Sequence, residues 1–271
     1  MQLGISTYTY GWAVGIPGDF SYQRLNEQGL LDKAEQLGVR LVQFGDNLPL
    51  HTLSVDRLTA LGHRARKQKT GLEIGARGLT DDRTEQYLGL CKKLRVKLLR
   101  FVIDTDTYEP PVATVIAILK NALPALVKTG VTLGIENHDR LLAREFAHII
   151  EQVGSNQVGI CLDSVNSMGA GEGLHEVVRT LAPYTVNLHL KDFGIKRLPH
   201  LMGFQIDGRP AGQGMLNIPW LVEEVSRYGR CQTAVLEQWV VPDENREATI
   251  AKENEWAIES IKYLTGLRFS V

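Results

Sequence analysis

Short apolar runs alternate with amphipathic stretches along the whole chain. Eight of these runs are apolar at nearly every position, and the segments between them repeat apolar residues at helical spacing. Strands that are apolar on both faces are typical of a parallel sheet covered by helices. The runs that we assign as strands are residues 3–6, 40–44, 72–76, 98–103, 131–136, 158–163, 185–190 and 233–237.

The segments between the runs carry signals for the start and the end of helices. Ser54 is a suitable N-cap, Pro110 and Pro111 suit a first helical turn, and Gly130 suits the position after a last turn. These signals predict helices at about residues 22–37, 54–69, 81–94, 110–129, 143–153, 174–181, 218–228 and 246–264.

Eight strand–helix units in 271 residues predict a single α/β domain, a (β/α)8 TIM barrel that spans residues 1–271. An open, doubly wound sheet is the alternative fold. Residues 11–18, which join the first strand to the first helix, lack the GxGxxG pattern of a dinucleotide-binding turn.

Composition narrows the classes of function. The 30 Lys and Arg against 31 Asp and Glu give a net charge of −1, which excludes a broadly basic protein that coats nucleic acid and argues against a membrane-surface protein. Cys91, Cys161 and Cys231 lie far apart, so we expect buried core residues rather than disulfides or a zinc-finger site. The first residues do not resemble a signal peptide, and no apolar run suggests a membrane span, so we expect a cytoplasmic protein.

Polar side chains end four successive predicted strands. These residues are Glu136, Asp163, His189 and Glu237. In a barrel they would meet at the carboxyl-terminal rim, where barrel enzymes carry their chemistry. Three converging carboxylates would repel one another unless a cation neutralised them. Taken singly, each acidic residue could instead be a helix cap or an ion-pair partner, and the histidine could be a core residue.

A divalent metal would account for all four groups together. Carboxylate oxygens with one imidazole suit Mn²⁺, our first choice, and also Mg²⁺ or Co²⁺. Four protein ligands would leave two positions of an octahedral shell for substrate oxygens. The set therefore predicts a metal site that also binds a small oxygen-rich molecule.

The motifs around these residues resemble a known family. The runs GIENHD (134–139), CLDSVNS (161–167), NLHLKD (187–192) and LEQW (236–239) are similar to the sugar isomerase/epimerase branch of the xylose isomerase-like barrels. The resemblance follows strand order through the whole chain and is strongest over residues 131–240. It implies that Glu136, Asp163, His189 and Glu237 bind the metal. It further implies that Glu136 and Glu237 form the catalytic acid/base pair, with His138 contacting the substrate.

The resemblance is not complete. Ketose 3-epimerases of this superfamily often have a histidine where this chain has Asn166, and an arginine near Ile195. The endonuclease IV type members use a larger set of His and Asp ligands than the seven histidines here provide. A DNA-repair function is therefore disfavoured, and a nucleic-acid partner is not expected. The basic residues nearest the expected arginine position are Lys196, Arg197 and Arg209.

Several other residues could shape a substrate pocket. Trp12 and Trp239 follow the first and last strands and could lie over the mouth, where an aromatic face can cover a sugar ring. Asn166, Lys191 and Arg209 are further candidate substrate contacts. Arg100 could face either the barrel interior or its rim.

Residues 193–214 are too long for an ordinary connection between a strand and a helix. They predict a lid, or an ordered loop that packs over the barrel or against another subunit. A lid could hold a phosphate with Arg197 or Arg209 and the backbone of Gly212 and Gly214.

These observations predict a metal-dependent sugar isomerase or epimerase that acts on a ketose or keto-sugar through an enediolate. The alternative is a dehydratase or lyase acting on a keto-glycoside or an inosose. A non-catalytic barrel subunit and an AP endonuclease are less favoured. The expected partner is a small-molecule sugar, and a homo-oligomer is possible.

Overall fold

Eight parallel strands close into a barrel in a computed structural model that describes residues 1–16 and 24–267. The strands are β1 Gln2–Ser6, β2 Leu41–Phe44, β3 Gly71–Arg77, β4 Leu98–Val102, β5 Thr132–Glu136, β6 Val158–Asp163, β7 Thr185–Leu190, β8 Asp192–Arg197, β9 Phe204–Arg209 and β10 Thr233–Leu236. The barrel order is β1-β10-β7-β6-β5-β4-β3-β2, and β8 pairs with β9 in a separate two-stranded sheet. The predicted barrel and all eight of its strands are confirmed.

Helices surround this barrel and join its strands. They are α1 Gly11–Val14, α2 Glu27–Gln36, α3 Val55–Gln68, α4 Asp81–Leu94, α5 Val112–Thr129, α6 Ala143–Val153, α7 Leu174–Leu181, α8 Ile218–Ser226 and α9 Arg246–Gly266. The helix predicted from residue 22 begins in a part of the chain outside the described residues. Its described part, α2, begins at Glu27, because the side chain of Asn26 accepts hydrogen bonds from the first backbone amides.

The predicted helix boundaries follow from identifiable caps. Ser54 Oγ accepts a hydrogen bond from the backbone N–H of Arg57 at 3.3 Å, as expected for the start of α3. Gly130 takes the left-handed conformation at the end of α5, with φ of 62°. At the end of α3 a residue other than glycine, Lys69, adopts this conformation, with φ of 55°.

Helix α5 is long and apolar, which makes it a candidate membrane span as well as a helix of the barrel. By length and composition its 18 residues could span a membrane, which the sequence analysis did not anticipate. In the structure α5 lies between α4 and α6 in the outer ring and buries Val115, Leu119 and Leu126 against the barrel. One such helix is weak evidence for a membrane span, since a helix that packs on the core of a soluble protein can have the same length and composition.

Residues 192–209 form an antiparallel hairpin, β8–β9, where an irregular loop or lid was expected. Ile195 pairs with Ile206 across the two strands, and both side chains are exposed. Because alternate residues of a strand share a face, Ile195, Phe204 and Ile206 lie on one face together with Arg197, which pairs with Phe204, and the opposite face is polar. The sequence analysis missed this hairpin because glycine and proline residues made the segment look irregular.

The phosphate-binding expectation for the following turn is wrong. The backbone N–H groups of Gly212 and Gly214 donate to Asp192 Oδ2 at 2.9 and 3.0 Å. The same carboxylate accepts from the backbone of Leu216 at 3.0 Å through Oδ1. The amides that were expected to hold a phosphate therefore already bind a buried aspartate, which anchors the turn to the end of β7.

The interior of the barrel is polar rather than filled by branched aliphatic side chains. Gln43, Glu73, Arg100 and Asn187 are all buried on inward-facing strand positions. Gly75 makes room for Arg100, since a Cβ at this glycine would lie 3.3 Å from Arg100 Cδ. The barrel thus places charged and amide groups beneath its carboxyl-terminal rim.

Candidate active site at the carboxyl end of the barrel

The structure brings together the four side chains that end β5, β6, β7 and β10. His189 Nδ1 lies 3.4 Å from Glu237 Oε1, 3.7 Å from Glu136 Oε2 and 3.9 Å from Asp163 Oδ2. All four side chains are almost completely buried. We call these four residues the acidic quartet, and they lie where the strand pattern predicted.

Strand register explains why the quartet meets at one depth. Asp163 is paired with His189 between β6 and β7. Glu237 follows β10 directly, and its backbone N–H donates to the carbonyl of Leu190 at 3.0 Å. A shift of one residue in any of these strands would turn the side chain away from the barrel interior.

Two basic side chains accompany the three carboxylates. Lys191 Nζ lies 2.8 Å from Asp163 Oδ2 and 3.2 Å from Glu237 Oε2. Arg100 Nε forms an ion pair with Glu136 Oε2. We expected a divalent metal to neutralise the three carboxylates, but this pair of protein cations already offsets much of their charge.

The charge states of the quartet's neighbours follow from burial and from these ion pairs. Burial alone would lower the pKa of Lys191, but Asp163 and Glu237 raise that pKa above its usual value. Burial alone would raise the pKa of Asp163, but Lys191 and His189 hold it below its usual value. The lysine and the aspartate thus stay charged.

Arg100 also contacts Asp46, on the side of its guanidinium group away from Glu136. This contact shows whether the side chain faces the barrel interior or the rim, which the sequence left open. Its Nη1 donates to Asp46 Oδ1 at 2.8 Å, and Arg77 Nε donates to Asp46 Oδ2 at 2.8 Å. Burial opposes the charge on Asp46, yet the two guanidinium groups hold the pKa of this carboxyl well below its usual value. Arg100 therefore lies inside the barrel and bridges Asp46 to Glu136.

Each carboxylate of the quartet is oriented by a neighbour. Ser6 Oγ donates to Glu237 Oε1 at 3.0 Å, and Asn166 Nδ2 donates to Glu136 Oε1 at 2.9 Å. Asp163 Oδ1 accepts from the backbone N–H groups of residues 165 and 166 at 2.8 and 2.9 Å. These contacts hold the carboxylates in one arrangement, as a binding site requires.

The buried atoms at the centre of the quartet fit a divalent cation. His189 Nδ1 has no hydrogen-bond partner, and Glu136 Oε2 and Asp163 Oδ2 make ion pairs but no hydrogen bond of normal geometry. Asp163, His189 and Glu237 each offer a ligand atom within 4.8 Å of the others. Buried polar atoms are normally satisfied, and carboxylate oxygens with an imidazole nitrogen are suitable ligands for divalent metals.

Cys161 lies beside His189, and its Sγ, a ligand atom of His189 and a carboxylate oxygen of Glu136 all lie within 4.8 Å of one another. Its Sγ is 3.1 Å from His189 Nε2 and 3.1 Å from Asn187 Oδ1. Burial, followed by the nearby Glu136, raises the pKa of the thiol well above its usual value. Cys161 is thus a protonated thiol in the barrel interior. This agrees with the expectation from sequence that the cysteines are buried core residues.

Comparison with known proteins identifies the family. A family model described as the xylose isomerase-like TIM barrel matches residues 31–265. The chain belongs to this family. Among curated proteins it is similar to the 3-oxo-isoapionate decarboxylase of Pectobacterium atrosepticum, with 29% identity over 266 residues that cover 97% of this chain and 95% of that protein.

Solved structures share the fold of this xylose isomerase-like barrel. A D-psicose 3-epimerase crystallised in the presence of D-fructose matches with a TM-score of 0.72, at 17% identity, over 99% of both chains. The IOLI protein with a bound zinc atom matches with a TM-score of 0.71, at 17% identity, over 100% of both chains. At this level of identity the two structures establish the architecture alone.

Three of the substrate contacts expected from sequence lie in or beside the quartet of this xylose isomerase-like barrel. Asn166 and Lys191 touch its carboxylates directly, as described above. His138 is partly exposed beside Glu136 in sequence, and its Nδ1 pairs with Asp139. Their roles toward a substrate remain predictions.

The other three expected contacts engage the loops around the mouth. Trp12 Nε1 donates to the carbonyl of Val240 at 2.9 Å. The backbone of Trp239 packs against Gly208, where a Cβ would approach its carbonyl oxygen to 2.0 Å. Arg209 Nη1 donates to the neighbouring carbonyl of Gly208 at 2.6 Å. Their roles as substrate contacts also remain predictions.

Sequence reasoning missed the residues that support the quartet from below and from the side. The missed residues are Ser6, Gln43, Asp46, Glu73 and Asn187. Three of them interrupt apolar runs, as in LVQF, LEIG and TVNL, and such an interruption is the signal that could have revealed them. Their partners come from strands distant in sequence, so the interruptions alone did not show what they contact.

Glu253 of α9 links the first loop to the outer helices and makes stability depend on pH. Its carboxylate accepts from the backbone N–H groups of Trp12 and Ala13 at 2.8 and 3.0 Å. Burial raises the pKa of Glu253 from 4.5 to about 7, despite these hydrogen bonds. The folded protein therefore holds a proton that the unfolded chain releases at lower pH.

We expect the free energy of unfolding to fall by roughly 3 kcal/mol between about pH 4.5 and pH 7 through this group alone. The raised pKa means that the folded state binds more protons in this range, so raising the pH favours unfolding. Denaturant titrations of the wild type and Glu253→Gln at several pH values measure the effect. In Glu253→Gln the free energy of unfolding should lack the part of its decline with pH that Glu253 causes. The same pH dependence of this free energy in both proteins would contradict the assignment.

Proposed function

We propose that this protein is a metal-dependent enzyme that removes CO₂ from a 3-oxo sugar acid. The observation that carries the proposal is the acidic quartet with two cations, Lys191 and Arg100, packed against it. Together with a bound divalent cation, these two cations would outweigh the three carboxylates of the quartet, and a site with that balance of charge suits an anionic, oxygen-rich substrate. The similarity to a 3-oxo-isoapionate decarboxylase over nearly the full length of both chains supports the same reaction class.

Glu136, Asp163, His189 and Glu237 would hold the cation, for which Mn²⁺ is our choice and Mg²⁺ or Co²⁺ is compatible. When bound, a divalent cation stabilises negative charge on substrate oxygens as a Lewis acid. The IOLI protein, which has the same fold, contains zinc, so Zn²⁺ belongs in any test as well.

The chain's own residues meet the other requirements of decarboxylation. Loss of CO₂ leaves an electron pair on the substrate, and the fixed positive charges of Lys191 and Arg100 stabilise the negative charge that develops. Lys191 is the more exposed of the two, with 15% of its side chain accessible against 3% for Arg100. We therefore assign to Lys191 the contact with the substrate oxygen on which this charge develops.

A proton must then reach the carbon that has lost CO₂. Glu136 and Glu237 are the candidate donors, because each lies in the quartet and each is oriented by a polar neighbour. The carboxyl group that gives up its proton regains one from solvent before the next cycle. His138, partly exposed at the mouth, is a candidate contact for substrate hydroxyl groups.

The second candidate function is the sugar isomerase or epimerase reaction expected from sequence. The observation that favours it is the presence of two glutamates in one site, since one could remove a proton next to a carbonyl and the other could return one. Both reactions pass through the same kind of carbanion next to a carbonyl. They differ in whether the group that leaves is CO₂ or a proton.

The test is incubation of the purified protein with Mn²⁺, Mg²⁺ or Zn²⁺ in D₂O, using 3-oxo sugar acids, ketoses and inososes. Release of labelled CO₂ with deuterium at the adjacent carbon supports decarboxylation. Deuterium uptake without loss of mass supports the isomerase or epimerase. If the protein bound a cation but gave neither CO₂ nor exchange on the whole panel, the proposed function would be rejected.

A further inference from the structure

We propose that Gln43 is a positioning residue that makes Nδ1 of His189 the metal-binding nitrogen. The inference rests on the proposed metal site and extends it to the interior of the barrel. Gln43 lies on β2 and is buried, and its Oε1 is 2.8 Å from His189 Nε2 on β7. The two strands are not neighbours in the barrel, so this contact crosses the interior.

The orientation of the Gln43 amide follows from its other partners. Its Nε2 donates to Glu73 Oε2 at 3.0 Å and to Asn187 Oδ1 at 3.1 Å. Glu73 Oε2 also accepts from Asn187 Nδ2 at 3.3 Å. An oxygen that accepts from two amides requires the NH₂ group of Gln43 to point toward it.

The orientation of Asn187 is determined in the same way. Its Nδ2 donates to Thr233 Oγ1 at 2.8 Å as well as to Glu73, so its Oδ1 faces Gln43. The thiol of Cys161 donates to the same Oδ1. No flipped amide satisfies all of these contacts, because a flip would place two acceptors or two donors face to face.

The carbonyl of Gln43 therefore faces His189 and must accept a hydrogen bond from Nε2. In the neutral imidazole that a metal requires, this places the proton on Nε2 and leaves the lone pair of Nδ1 directed at Glu136, Asp163 and Glu237. A lone pair directed at three carboxylates is unfavourable by itself and becomes favourable with a cation between them. The other tautomer would put an N–H group at that position and hinder the cation.

The role of Glu73 follows from this chain of contacts. It is a buried carboxylate that accepts from the amides of Gln43 and Asn187. Burial raises the pKa of Glu73, and hydrogen bonds from Thr233 and Gln43 counteract part of this rise. Glu73 thus orients Gln43, and Gln43 orients His189.

The experiment compares Mn²⁺ affinity in the wild type, Gln43→Met and Gln157→Met. Methionine keeps the length of the side chain but removes the acceptor, and we expect the affinity of Gln43→Met to fall about 10- to 100-fold. Gln157→Met makes the same chemical change just before β6, outside the hydrogen-bonded network around His189, so its affinity should stay near that of the wild type. Equal affinities for the wild type and Gln43→Met would overturn the inference.

A double variant separates positioning from loss of packing. In Gln43→Glu with Glu73→Gln the carboxylate and the amide exchange places. Residue 43 still accepts from His189 Nε2, residue 73 can donate to residue 43, and the amide of Asn187 turns over so that its Nδ2 faces residue 43. We expect this pair to restore Mn²⁺ affinity to within a few-fold of the wild type, whereas Gln43→Glu alone sets two carboxyl groups against each other. Failure of the pair to exceed Gln43→Glu alone would count against positioning.

The bound nitrogen can be identified directly in the Zn²⁺-loaded protein by long-range ¹H–¹⁵N correlation. The inference requires the proton on Nε2 and coordination through Nδ1, and the reverse pattern would overturn it. These readouts do not depend on turnover. A protein that shows the expected metal binding but acts on no substrate would reject the proposed function and leave the positioning role of Gln43 intact.

Discussion

Glu136→Gln is expected to lower kcat/KM by about 10³-fold, within the range found for loss of a general acid or base. The amide is a poorer ligand than the carboxylate for a divalent cation and cannot carry the catalytic proton. Arg100 keeps its second partner, Asp46 at 2.8 Å, so we expect the variant to fold. Steady-state kinetics on the substrate that releases CO₂ or exchanges deuterium measure the change.

A matched control shows whether the loss of kcat/KM is specific to the candidate active site. Glu255→Gln makes the same chemical change at an exposed position of α9 and should leave kcat/KM unaltered. Mn²⁺ titration of Glu136→Gln separates weaker binding from slower chemistry at saturating metal. Retention of kcat/KM within tenfold of the wild type would remove Glu136 from both the metal site and the proton transfer.

Lys191→Met is expected to change turnover and metal affinity in opposite directions. The ammonium lies within 3.2 Å of two proposed metal ligands, Asp163 and Glu237, and competes with a cation for their charge. Its removal should raise Mn²⁺ affinity by about tenfold or more, in line with the strength of charge interactions at this distance near a protein surface. It should lower kcat by about 10²- to 10³-fold, because a positive charge at the reacting group is lost.

The opposite signs make this prediction specific. A residue that only supports the fold would lower both quantities, so parallel losses would show that Lys191 has a structural role. Lys196→Met removes an ammonium that pairs with Asp207 on the hairpin at 3.0 Å, and it serves as the control with little expected effect. Calorimetric Mn²⁺ titration and steady-state kinetics on the same preparations give both readouts.

The apolar runs and the residues that end them determined the barrel and the four members of the quartet. Both are local properties of the chain, because a strand's burial on two faces and the residue at its carboxyl end can be read within a few positions. Glu136, Asp163, His189 and Glu237 could be assigned to one rim because parallel strands of a closed barrel share a direction. The family resemblance rested on the same strand ends.

Only the tertiary structure decided which groups surround the quartet. Arg100 and Lys191 supply positive charge that we expected from a divalent metal, and Asp192 occupies the amides that were expected to bind phosphate. The contact between Gln43 and His189 joins positions 146 residues apart. Side-chain pairing across the barrel depends on the register of the strands and on which side chains fill the interior. Neither can be recognised from the periodic pattern of apolar and polar residues along the chain.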